Sequence, residues 1–244
     1  MLIVRLCSIL VALTIFNLVS PSLAQKKEEK ELERILNVVL FYIDYQKAYY
    51  GQEFSHNRTK EEYKLLVQEF TRTINDNSNN AMAYNNRGYV KDELGDYRGA
   101  IEDFNRAIQI DSSLVGAYGN RGISKANLKN FKGAIDDFDK VIELEPVYLK
   151  AYYNRGVVYY YLGEYTDAIK DFDKVLELKS IEDEAELKIV PLYDESLFLA
   201  GKAYLGRAAS RFELGQRDSA CLDLSKAGET GASNAYELIK EYCQ

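Results

Sequence analysis

The sequence repeats itself every 34 residues. Residues 81–113 read AMAYNNRGYVKDELGDYRGAIEDFNRAIQIDSS. Val115 opens VGAYGNRGISKANLKNFKGAIDDFDKVIELEP, and Leu149 opens LKAYYNRGVVYYYLGEYTDAIKDFDKVLELKS. Gly88, Gly122 and Gly156 stand 34 positions apart, as do Phe104, Phe138 and Phe172. A fixed period of this size means one supersecondary unit stacked on copies of itself, because a single unit cannot bury its apolar face alone. Within each copy the apolar residues recur twice at helical spacing, with a break between, so each unit is a helix–turn–helix.

The details of each copy fit that unit. Leu94-Gly95 and Leu162-Gly163 end first helices, glycine supplying the left-handed cap. The middle copy has Lys129 at that place, and Asn130 is expected to take over the turn. The mid-helix glycines Gly88, Gly122 and Gly156 each cost about 0.5–1 kcal/mol against alanine. The expected return is close approach by the small Ala100, Ala134 or Ala168 of the second helix. Phe104, Phe138 and Phe172, one turn further on, are expected to fill the gap to the next unit.

The recurring pattern is aromatic-x-x-Arg-Gly, then Leu, Ala-x-x-x-Phe and a closing proline. It appears at Tyr84, Arg87, Gly88, Leu94, Ala100 and Phe104, and again from Tyr118 to Phe138 and from Tyr152 to Phe172. Pro146 closes the middle copy, and Ser112 and Ser180 replace it in the others. In these residues the chain resembles the tetratricopeptide repeat. The resemblance implies an all-α fold: a right-handed α-solenoid of helix–turn–helix repeats with a C-terminal capping helix. It implies repeats at 81–114, 115–148 and 149–180.

The flanks keep parts of the register. In residues 25–80, Leu66 and Phe70 precede Ala100 and Phe104 by one period, while the Arg-Gly signature is missing, so this is a degenerate first hairpin, as terminal repeats are expected to be. Thr59 and Glu62 form a capping box that opens its second helix. After Ser180 the phase slips. An acidic stretch over 181–200, broken by Pro191, precedes a divergent repeat at 201–232 that carries Arg207, Leu214-Gly215, Ala220 and Leu224. The insertion either extends a helix or folds toward the groove. Residues 233–244 form the closing helix.

Residues 1–24 differ in kind. Arg5 precedes the apolar run Leu6–Val19, Pro21 breaks it, and Ser22-Leu23-Ala24 offers small residues before Gln25. This predicts a secretory signal peptide cleaved between Ala24 and Gln25, and hence an exported protein, secreted or periplasmic, with no membrane span after cleavage. The chain has 31 basic and 38 acidic residues. An acidic surface without basic runs argues against nucleic acid and anionic membrane as partners.

No enzyme constellation is present. The one histidine, His56, lies in a loop, and neither paired-cysteine metal spacing nor a phosphate-binding glycine loop occurs, so no cofactor and no catalytic residue are expected. What recurs instead is charge at two apolar positions of the resembling family. Arg87, Arg121, Arg155 and Arg207 precede the glycine position, and Asp103, Asp137, Asp171 and Asp223 precede the phenylalanine position. Both depart together in all four units. Arginine's planar fork suits a carboxylate, so interhelical Arg–Asp pairs are expected; the alternative is independent surface charge. Cys221 and Cys243, the only cysteines after cleavage, form either a disulfide between the last hairpin and the closing helix or two reduced buried thiols.

The resemblance also implies a partner: a protein or peptide held in the concave groove lined by first helices. By register the groove shows Asn85, Tyr89, Asn120, Ile123, Lys150, Tyr153, Val157 and Tyr160. Asn120 and Lys150 match two of five positions of the family's carboxylate clamp, and Asn85, Tyr89 and Asn154 depart from it. The implied function is a non-enzymatic interaction scaffold or adaptor. Alternatives are a periplasmic assembly or secretion chaperone for an unfolded or helical client, and a recruitment domain for an enzyme on another chain.

Overall fold

The computed structural model describes residues 59–184, 195–232 and 235–243. The signal segment, the first half of the N-terminal hairpin and residues 185–194 of the insertion lie outside these. Ten α-helices and no strand occur among the described residues. They are α1 (Lys60–Asp76), α2 (Ala81–Glu93), α3 (Tyr97–Ile110), α4 (Val115–Asn127), α5 (Phe131–Leu144), α6 (Leu149–Leu162), α7 (Tyr165–Glu184), α8 (Glu195–Glu213), α9 (Arg217–Glu229) and α10 (Ala235–Tyr242). The helices pair as α2–α3, α4–α5, α6–α7 and α8–α9, and each second helix packs on the next first helix. The described residues thus build an all-α solenoid.

Caps set the helix starts. Thr59 accepts from the Glu62 backbone N–H while the Glu62 carboxylate accepts from the Thr59 N–H at 2.6 Å. Asn80, Asp96 and Asn130 cap α2, α3 and α5 through their side chains. At the hairpin turns Gly95, Gly163 and Gly215 take φ of 82°, 79° and 72°. Asn130 does not relieve the middle turn. Lys129 itself adopts the left-handed conformation at φ 60°, and Asn130 is the N-cap of α5.

The core runs as a line of small and aromatic residues. Ala100, Phe104, Ala107, Ala134, Phe138, Val141, Ala168, Phe172 and Val175 are all essentially inaccessible. The mid-helix glycines open space for the phenylalanines and not, as their spacing suggested, for the alanines. A Cβ on Gly88 would stand 2.7 Å from the Phe104 ring, and one on Gly122 would stand 2.8 Å from the Phe138 ring. The reason is reach: the ring, one turn below the alanine, extends back onto the first helix of its own hairpin. Phe172 also touches the next unit, where a Cβ on Gly206 would meet it at 2.5 Å.

The insertion lengthens both helices that flank it. α7 runs 20 residues and α8 runs 19, against 14 for α6. The extra length of α8 joins the core, with Leu199 buried in one cluster with Tyr152, Phe172, Leu178 and Ala203. The C-terminal α10 packs on α9.

Candidate functional site

Two features recur along the stack: a ladder of buried ions, and a groove lined by first helices. The ladder comes from the arginine before the glycine and the aspartate before the phenylalanine, which face each other across a hairpin. Arg87 donates through Nε to Asp103 Oδ2 at 2.8 Å and through Nη2 to Oδ1 at 2.6 Å. Arg121 holds Asp137 at 2.9 and 2.6 Å, Arg155 holds Asp171 at 2.8 and 2.7 Å, and Arg207 holds Asp223 at 2.9 and 2.5 Å. All four carboxylates are buried, with exposure of 4, 3, 5 and 1%. Bidentate geometry of this kind satisfies both carboxylate oxygens at once. Each guanidinium also lies over the tyrosine three residues before it, 5.4–5.7 Å from the ring centre, at Tyr84, Tyr118, Tyr152 and Tyr204.

The third arm of each arginine crosses into the preceding unit. Nη1 donates to Thr71 from Arg87 and to Asn105 from Arg121. It donates to Asp139 from Arg155 and to Asp173 from Arg207. These four acceptors are themselves one period apart, each directly after the core position filled by Phe70, Phe104, Phe138 and Phe172. Threonine, asparagine and aspartate all fill this place, so only the period marks it, and a reading of residue identity passes over it.

A second cation serves three of the aspartates. Lys91 and Lys125 each reach their aspartate at 2.7 Å, and Arg211 reaches Asp223 at 2.6 Å. In the third repeat Tyr159 occupies that place. Burial there pushes the Asp171 carboxyl above the ordinary carboxylate range, against the pull of Arg155. Asp92 is raised too, again chiefly by burial, with Ser124 donating to it across the α2–α4 interface.

The residues placed in the groove by register divide. Asn85 is 1% exposed and accepts from Asn120 Nδ2 at 3.2 Å. It ties α2 to α4 and is closed off from the groove, a correction that follows from the helix contact closing over it. Tyr89 and Lys150 are half-buried. Tyr153 packs on Phe172, ring centres 6.0 Å apart, and burial raises its hydroxyl pKa. Tyr160 meets Tyr161 and Tyr165 at 5.9 and 5.6 Å.

Ile123 and Val157 do line an open cavity of about 380 Å³ between α4 and α6. Ala126, Val158 and Phe138 complete its apolar wall, and Asn127, Asn154 and Lys129 supply polar groups. Phe131 and Tyr161 stack at 6.3 Å with planes 5° apart. Tyr161 is 68% exposed and Ile123 is 38% exposed. Phe131 opens a second helix, so a register drawn from first helices alone does not include it. The cavity offers apolar surface with a few directional groups, which is the chemistry of a side-chain pocket. Among the described residues no cluster of three histidine, cysteine or acidic side chains could hold a metal ion, and no helix is long and apolar enough to cross a membrane.

At the C-terminal end Cys221, on α9, is disulfide-bonded to Cys243, with Cα atoms 5.8 Å apart.

Comparison with known proteins bears on this arrangement. Tetratricopeptide repeat profiles match residues 81–114, 115–148 and 149–180. No curated protein matches the sequence. A crystal structure of MamA is 25% identical with a TM-score of 0.59, covering 73% of this chain and 94% of that one. A second MamA structure is 23% identical, covers 82% and 94%, and also scores 0.59. A MamA fragment from residue 41 to its end, from Desulfovibrio magneticus RS-1, is 17% identical with the same score, covering 81% and 96%.

Proposed function

We propose that this chain, a tetratricopeptide repeat protein, is a non-enzymatic scaffold that grips an apolar or aromatic side chain of a protein partner between its first helices. The cavity lined by Ile123, Val157 and Phe138 carries this reading. In it an apolar wall and open access coincide. Tyr161 beside it supplies a large rigid ring at a mouth open to solvent, a composition common at interface hot spots. Asn127 and Asn154 are placed to hold the partner's backbone, as they line the same cavity.

The partner is a peptide segment or helix. A chaperone for unfolded clients is the competing reading; it requires a long tolerant surface, whereas the apolar pocket between α4 and α6 suits an adaptor that takes one side chain of a stoichiometric partner. The site of action is outside the cytoplasm, after cleavage between Ala24 and Gln25. Support comes from the apolar leader and from the Cys221–Cys243 bond, since disulfides persist in oxidising compartments. Mass determination of the protein recovered from its native cells should place the mature N-terminus at Gln25.

The decisive experiment captures partners from the native cell envelope with the wild type and with Val157→Arg, which fills the cavity with a cation. One partner should copurify at fixed stoichiometry with the wild type and drop at least 10-fold with the variant. Equal capture by both proteins moves the binding surface elsewhere. A ladder of many extended clients favours the chaperone.

A further inference from the structure

We propose that the Cys221–Cys243 disulfide makes the C-terminal cap conditional on redox state: a dithiol that reduces it frees α10 and bares the apolar end of the last hairpin.

α10 lies where the first helix of a further repeat would begin. Ala235 stands one period after Gly201, in the register of Ala81, Val115 and Leu149. Ala235 is fully buried, as Ala117 and Ala203 are. Its helix packs on α9 as every first helix packs on the preceding second helix. The likeness stops there. Glu241 stands where the arginine of the ladder belongs, and Tyr242 stands where the glycine seat belongs. α10 therefore carries no Arg–Asp rung of the kind that ties the other hairpins.

Apart from the disulfide, apolar contact holds it. Leu238, Ile239 and Cys243 lie half-buried against Ala208, Ala220 and Leu224, the Tyr236 ring lies over Gly228, and Tyr242 packs on Phe212 with ring centres 5.7 Å apart. Tyr236 and Tyr242 remain 61% and 46% exposed. Eight residues are too few to be helical in water without tertiary support. The covalent tie is thus the strongest restraint on the cap. Both cysteines are half-buried, not sealed in the core, which leaves room for an attacking thiolate.

The chemistry balances as ordinary exchange. A thiolate of the dithiol attacks one sulfur, the other leaves as a thiolate, and the second thiol of the reagent closes its own disulfide. Two electrons and two protons pass to Cys221 and Cys243. The reagent leaves as a cyclic disulfide.

Hydrogen exchange on the full chain, oxidised and after dithiothreitol, tests this. Amides of residues 235–243 should exchange on the order of 100-fold faster after reduction, while those of α2–α6 keep their protection. Binding of a fluorescent apolar dye should rise in step. A Cys221→Ser/Cys243→Ser variant should show both changes without reductant. Unchanged protection of α10 in the reduced protein would overturn the proposal, because apolar contacts alone would then suffice. Loss of protection throughout the stack would overturn it too, making the bond a global staple.

Discussion

At the scale of single residues, the arginine ladder is the feature with the largest stake. Arg121→Leu leaves Asp137 buried with Lys125 as its remaining cation, and should cost about 3 kcal/mol. The double variant with Asp137→Tyr should recover much of that loss, and a double-mutant cycle by denaturant unfolding reads the coupling. Lys129 works in the opposite direction. A left-handed residue with a Cβ is strained, so Lys129→Gly should raise stability by about 1 kcal/mol, seen as a higher Tm. Asp92 adds a pH signature. Its folded pKa lies above the ordinary carboxylate value, so its contribution is largest in acid and is lost as pH rises through the folded pKa. Asp92→Asn should therefore match or exceed the wild type at neutral pH, and the gap should close on acidification, by thermal unfolding at both. At this scale the sequence was partly legible. The paired departures from apolar residues at the arginine and aspartate positions pointed to each other. The backward acceptors Thr71, Asn105, Asp139 and Asp173 did not announce themselves, because three residue types share one role.

At the scale of elements, hairpins were easy to read and their internal packing was not. The period and the Leu-Gly turns mark where helices begin and end. They do not say which side chain reaches the mid-helix glycine, since alanine and phenylalanine both lie on the inward face. Ring length decided for phenylalanine. Gly122→Ala tests this directly: helix propensity gains about 1 kcal/mol, but the new methyl would stand 2.8 Å from a ring that is 1% exposed. Overpacking of that kind should win, for a net loss of about 1–2 kcal/mol in urea unfolding. The groove shows the same division. Ile123 and Val157 face open space, whereas Asn85 is closed over by α4, and helical register alone cannot separate a lining position from one under the neighbouring helix.

At the scale of the described stack, stability should be shared between neighbours and not local to each hairpin. Solenoids are close to one-dimensional, each unit contacting only the next. Here every arginine also joins two units, so cutting one third arm should loosen the coupling at that interface. Asn105→Ala removes the acceptor for Arg121 Nη1 and leaves the pair with Asp137 intact. It should reduce the cooperativity of urea unfolding, read as a smaller m-value, more than it lowers total stability.

The third arm also has a direction. Each guanidinium reaches toward the unit nearer the N-terminus, from Arg87 to Thr71 through Arg207 to Asp173. A polypeptide emerging from a ribosome or a translocation pore presents those acceptors first. Each ladder arginine then finds the acceptor of its third arm already laid down and waits only for the aspartate 16 residues behind it, so assembly can advance like masonry, course upon course.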